Sequence, residues 1–237
     1  MTGGPLLQVR GVGKRFGGLA ALDDVHLTVP EGSVTALIGP NGAGKTTLFN
    51  CLTGFARPDT GEVVFAGRRV DRMAPQRIAR LGMVRTFQSI RMFAGLTVYE
   101  SLLAVRSGLG SRAARRRADE LLDRLGLAAA ADRRCTELPL LAQRMVEVAR
   151  ALMTGPRLLL LDEPSAGATA AERDRLVGLV ADLRRDGTTV MVIEHNVGFV
   201  MAVSDQIVVL NFGRVVATGG PAEVAADPIV QEIYLGV

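Results

Sequence analysis

Tryptophan is absent from these 237 residues and aromatic side chains make up only 4% of them, so the stacking platforms that hold single-stranded nucleic acid have little to be built from. Only two cysteines occur, Cys51 and Cys135, far apart and without CxxC or histidine spacing. That excludes a zinc framework or a disulfide scaffold and marks both as reduced thiols. No charge-free stretch reaches the roughly 18 apolar residues needed to cross a bilayer, and MTGGPLLQVR at the N-terminus lacks an apolar signal core. The expectation is a cytosolic chain unless a partner holds it at a membrane. Repeats of solenoid length and low-complexity linkers are also missing, which points to one unit over residues 1–237.

What is present fills a core: 48% of the residues are hydrophobic. Net charge is +4, with arginines gathered at Arg112, Arg115, Arg116 and Arg117, a run best read as a solvated helix face. The N-terminal third reads as β-like runs, LLQVRGVGKRF and VHLTVP. A continuous apolar strand, VTALI, then enters a glycine loop, and a helix begins at Lys45. From about Thr97 to Met153 the spacing turns helical, with TVYESLLAV, ADELLDRLGL and RMVEVARALM each placing apolar residues at i, i+3 and i+4. After GPRLLLLDEP the pattern alternates again: helix AAERDRLVGLVADLRRD, strand TTVMVIEH, helix NVGFVMAV, then strands DQIVVLNFG and RVVATG. Strands alternating with helices predict a mostly parallel sheet, and LLLL and VMVI, apolar on both faces, belong at its centre.

Two motifs carry chemistry. GPNGAGKT, Gly39 to Thr46, matches the phosphate-binding pattern GxxxxGK[ST] with a buried strand before it and a helix after it. In such a loop Gly39, Asn41, Gly42, Ala43 and Gly44 let backbone N–H groups wrap phosphate oxygens, while the helix N-terminus begins at Lys45, Thr46 and Thr47. Lys45 reaches the β- and γ-phosphates, and the Thr46 hydroxyl is a ligand for Mg²⁺. LLLLDE, Leu158 to Glu163, ends an apolar strand in two carboxylates at the sheet edge where α/β folds bind ligands. There Asp162 is placed to hold Mg²⁺ through water, and Glu163 to polarise an attacking water as general base.

On these motifs the chain resembles an ATP-binding cassette, the nucleotide-binding subunit of ABC transporters, over essentially its whole length. The resemblance implies an α/β P-loop NTPase with a RecA-like core. Residues 1–88 and 156–237 would form the ATP-binding core with a small antiparallel β subdomain, and residues from about 89 to 155 a helical subdomain. It further implies that Phe16 in GKRFGG stacks on adenine, that Gln88 in RTFQ is a ligand for Mg²⁺ and water, and that His195 in VIEHN contacts the γ-phosphate. RFGGLAAL, VRTFQSIRMFAGLTVYESLL, IEHN, VVLNFG and the terminal IYLG are similar to ATPase subunits of branched-chain amino-acid importers. The compact helical insert keeps importers of related small polar solutes open. The implied partners are membrane permease subunits, a second cassette and, indirectly, a solute-binding protein, with the chain peripheral on the inner face of the membrane and no nucleic acid expected. Ile90, Met92, Phe93 and Tyr99, within residues 89–105, are candidates to receive a permease helix. A soluble ABC protein acting on ribosomes or DNA, and a non-hydrolysing module, are the competing classes. The first lacks a second cassette or coiled-coil insert here, and the second leaves Glu163 and His195 without purpose.

The signature segment departs from the family. Two cassettes pack head to tail, each capping the other's ATP with a helix tip usually read LSGGQ, and the matching stretch is Leu138 to Gln143. Pro139 takes the serine position and Leu141 a glycine position, where a side chain is expected near the phosphate contact. Ala168 and Thr169 stand where the family has Leu and Asn or Asp. Since the cap acts in trans, ATP binding by this chain should survive. Paired with a different cassette, it should give one sound and one weak site.

Overall fold

A computed structural model describes residues 4–87, 93, 95–105 and 108–235. Two sheets organise them. The six-stranded sheet has the order β10-β9-β3-β8-β7-β6, built from β3 (Val34–Ile38), β6 (Met83–Arg85), β7 (Leu158–Asp162), β8 (Thr189–Ile193), β9 (Gln206–Asn211) and β10 (Arg214–Gly219). Its pairings are parallel except for the antiparallel hairpin of β9 with β10, as the alternating pattern predicts. A second sheet, antiparallel throughout, has the order β2-β1-β4-β5, with β1 (Leu7–Phe16), β2 (Leu19–Val29), β4 (Thr60–Phe65) and β5 (Arg68–Arg69).

The central strands show why LLLL and VMVI are apolar on both faces. All five residues of β7 and of β8 are buried, and successive side chains point to opposite faces. Leu159, Leu161, Val190 and Val192 join the apolar cluster on the helical side. Leu158, Leu160, Met191 and Ile193 join the cluster shared with the antiparallel sheet, where Leu48 and Phe49 of α1 (Lys45–Leu52) fill the space between the sheets.

Between β6 and β7 the described residues include α3 (Val98–Leu103), α4 (Ser111–Arg124) and α5 (Leu140–Met153). Thr97 opens α3 through a capping box, accepting from the Glu100 N–H while the Glu100 carboxylate accepts from the Thr97 N–H. α4 begins seven residues before the apolar spacing of ADELLDRLGL, because its first two turns are arginine-rich surface with no core-facing signal. There Arg116 and Arg117 share Glu120 at 3.6 and 3.8 Å. α5 buries Val146, Val148, Ala149 and Leu152 against the sheet and the other helices. After β7 come α6 (Ala170–Arg185) and α7 (Val197–Val203). Thr169 opens α6 with a capping box to Glu172, a local reason for threonine where the family has Asn or Asp. Both cysteines are buried and free, and burial pushes the Cys51 thiol up to about 11, which leaves it unreactive near neutral pH.

Candidate functional site

The parallel register gathers the chemistry at one sheet edge. β8 lies between β3 and β7, pairing Leu37 with Ile193 and Asp162 with Ile193. The phosphate-loop motif after β3, the two carboxylates ending β7 and His195 beyond β8 therefore leave the sheet side by side, at the carboxyl ends where such folds bind ligands.

The loop after β3 is a tight backbone cradle. A Cβ on Gly39 would lie 2.1 Å from the Leu210 carbonyl oxygen, and one on Gly44, at φ 105°, would lie 2.5 Å from the Ala21 carbonyl oxygen. Neither position admits a side chain. α1 starts directly behind the loop without a side-chain cap or an acid in its first turn. Its first N–H groups are thus available to an anion. Lys45 is buried and its Nζ donates to the carbonyls of Gly39 and Pro40 at 2.6 and 3.0 Å. Burial holds its ammonium below the usual lysine range, against the opposing pull of the Glu163 and Asp162 carboxylates. Asn41, Gly42 and Thr46 are exposed, while Ala43 is buried under the loop. Phe16 is 54% exposed at the end of β1, on the hairpin whose Ala21 abuts Gly44.

Asp162 and Glu163 differ sharply in setting. Asp162 is buried and paired with Arg85 at 2.6 Å. Glu163 adopts a left-handed backbone, φ 48°, a conformation worth about 1–2 kcal/mol of strain for a residue with a side chain. It is held there from two directions, by its own N–H donating to the Ile193 carbonyl at 2.9 Å and by Arg144 of α5 donating to its carbonyl. His195 is exposed, but the preceding Glu194 is fully buried. The Glu194 carboxylate accepts from the N–H groups of Ser165, His195 and Asn196 at 2.7, 3.1 and 3.4 Å. It ties the loop after β7 to the loop after β8. Arg85, Arg144 and Glu194 are marked in the sequence only as ionisable residues in or beside the quoted stretches, and burial is what makes them informative. Gln88, Ile90 and Met92 lie outside the described residues.

At the tip of α5 the structure changes one expectation. Leu141 does not project outward: it is half-buried, packs against the helical-side core and lines the cleft between α5 and α6 with Ala142, Leu176 and Leu179. The exposed side chain is Leu140, at 53%, with Cδ2 3.8 Å from where a Cβ on Gly167 would stand. A helix turn separates neighbours by about 100°, so one leucine anchors the tip while the other covers it. Leu141→Ala is accordingly expected to lower unfolding stability by about 2 kcal/mol with little change in ATP turnover. Leu140→Ser should keep stability within about 0.5 kcal/mol and raise turnover in the assembled pair. Thermal denaturation and phosphate release check both, and the reverse pattern would put the obstruction back on Leu141.

Residues 22–166 match the family model for ABC transporters, and residues 214–237 match that for branched-chain amino acid ATP-binding cassette transporters. The chain belongs to the ABC transporter family, as an ATP-binding cassette. Among individual proteins it is 43% identical to the high-affinity branched-chain amino acid transport ATP-binding protein LivG of Salmonella typhimurium, over 98% of each chain. It is 42% identical to BraF of Pseudomonas aeruginosa, a protein of the same description, again over 98% of each. Of solved structures, a nucleotide-free ATP-binding cassette from an ABC transporter superimposes with a TM-score of 0.89 at 33% identity, over 98% of this chain and 100% of that one. The ADP conformation of an ATP-binding cassette matches with a TM-score of 0.88 at 33% identity, over 98% and 99%.

Proposed function

We propose that the chain is the ATP-hydrolysing subunit of an importer for branched-chain amino acids, working on the inner membrane face with permease subunits, a second cassette and, through them, a solute-binding protein. The observation that carries this is the meeting at one sheet edge of the glycine cradle, the Asp162–Glu163 pair and His195, in a chain whose full-length relatives are named for that transport. Among the described residues no helix is long and apolar enough to cross a membrane, so coupling to transport requires partners that do.

The residues suit ATP with Mg²⁺. The loop excludes side chains at Gly39 and Gly44 and offers N–H donors, and Lys45 already turns its ammonium into it. Among the described residues no group of three or more His, Cys, Asp or Glu could hold a metal alone. This suits a cation that takes most of its oxygens from phosphate and water. Thr46 and Asp162, with Gln88, would hold Mg²⁺, which would neutralise charge on the phosphate oxygens. Phe16 stacks on the base, Lys45 and the loop N–H groups hold the phosphates, Glu163 takes a proton from the attacking water, and His195 meets the γ-phosphate. These residues serve the chain's own nucleotide, while the tip of α5 serves the neighbour's. With a partner of intact signature the pair therefore has one sound site and one weakened by Leu140.

The test is uptake of labelled leucine, isoleucine and valine by cells whose own cassette has been replaced by this chain. Uptake restored by the wild type and abolished by Glu163→Gln supports the reading. Uptake of an unrelated solute instead, or association with ribosomes rather than with permeases, would overturn it.

A further inference from the structure

Arg85 ends β6, where it pairs in register with Leu160 of β7. Its side chain is 5% exposed and that of Asp162 is 2% exposed. Nη2 donates to Asp162 Oδ2 at 2.6 Å and Nη1 donates to Asn50 Oδ1 of α1 at 2.7 Å. The guanidinium lies over two rings, with centroids 5.4 Å away for Phe49 and 5.3 Å for Phe87. Nε is buried without a hydrogen-bond acceptor. A fixed cation thus sits inside the protein against the same carboxylate that the motif assigns to the metal. It also joins the end of β6 to α1, which follows the phosphate loop.

We propose that Arg85 is a positioning residue that sets how tightly the site holds Mg²⁺, an inference that rests on the Mg-ATP site proposed above. The guanidinium engages Oδ2, which orients the carboxylate and leaves Oδ1 for a metal-bound water shell. The same guanidinium half-neutralises Asp162 before any divalent cation arrives, and the Lys45 ammonium lies within electrostatic reach of both Asp162 and Glu163. A bare Mg²⁺ therefore meets two cations set against the two carboxylates of Asp162 and Glu163, and finds no net negative charge to draw it in. Accompanied by the negative charge of a triphosphate, the balance changes sign. Arg85 makes the site accept metal with nucleotide and give it up as phosphate charge leaves.

A buried carboxylate can be satisfied by Arg85 or by a metal, so losing the first should strengthen the second. In Arg85→Met the Mg²⁺ concentration giving half-maximal ATP binding is expected to fall about tenfold. The variant should also melt below wild type in EDTA and recover much of that loss when Mg²⁺ alone is added. Arg85→Lys keeps the charge and should keep the wild-type Mg²⁺ dependence. Should Arg85→Met fail to fold, Arg85→Gln, neutral yet able to donate to Asp162, carries the same expectation. The experiment is a Mg²⁺ titration of fluorescent ATP-analogue binding by the purified chain, paired with thermal melts in EDTA and in MgCl₂. A wild type whose nucleotide binding ignores Mg²⁺ removes the site and the inference together. A wild type that responds, with neutral variants matching its half-point and losing equal stability in both buffers, overturns the inference alone and leaves Arg85 a packing residue.

Discussion

Glu163→Gln should bind ATP as the wild type does while hydrolysing it about 10²–10⁴-fold more slowly, the range expected when a general base loses its proton acceptor. The substitution keeps size and two backbone hydrogen bonds, the one that the residue's own N–H gives to Ile193 and the one that its carbonyl accepts from Arg144. What it removes is a carboxylate oxygen able to take a proton from water. A general binding defect would raise the ATP concentration needed and spare the saturated rate; loss of the base should do the opposite. Phosphate release at saturating ATP, measured beside nucleotide affinity, separates the two. Equal rates for variant and wild type would remove Glu163 from the chemistry.

The second large effect is expected at Glu194, which precedes His195 in VIEHN and supports the loops after β7 and β8 from inside the protein. Its carboxylate is fully buried and accepts three backbone N–H groups from Ser165, His195 and Asn196. A buried donor left unsatisfied costs about 1–3 kcal/mol, so Glu194→Ala should lose about 3–5 kcal/mol of unfolding stability. Glu194→Gln retains one acceptor oxygen and the shape, and should lose less than half as much. The ATPase readout should follow a different order. Even the stable Gln variant loosens the loops after β7 and β8 from each other, so its saturated rate should fall while its ATP affinity holds. Denaturant melts and ATPase titrations of both variants check this, and an Ala variant as stable as wild type would contradict the shared anchor.

Much of this fold is legible from periodicity because both faces of the central strands are buried. Leu158–Leu161 and Val190–Ile193 show no alternation, and only a sheet covered on both sides accommodates that. The loop motif is legible for a steric reason, since Gly39 and Gly44 stand where backbone oxygens leave no room for a Cβ. Short elements carried too few periods to register. β5 is two residues and β6 three, and α2 (Pro75–Arg80) buries only Ile78. The closing helices α8 (Pro221–Ala226) and α9 (Pro228–Leu235) were equally unmarked. In the site, motif positions could be read, but the groups that hold them could not. Arg85, Arg144 and Glu194 become informative only when folding buries them against Asp162, Glu163 and the loop of His195. Leu141 teaches the same lesson in reverse, because a substitution that looks obstructive in a motif turns inward once α5 is placed against α6.

The proposed Mg-ATP pocket is built within one polypeptide around Lys45, whose ammonium rests on the Gly39 and Pro40 carbonyls. Calorimetric titration of the purified chain with Mg-ATP, wild type beside Lys45→Met, tests it most directly. Saturable binding near one nucleotide per chain is expected for the wild type, and at least about tenfold weaker binding for the variant. Equal affinities, or no binding by a folded wild type, would contradict it.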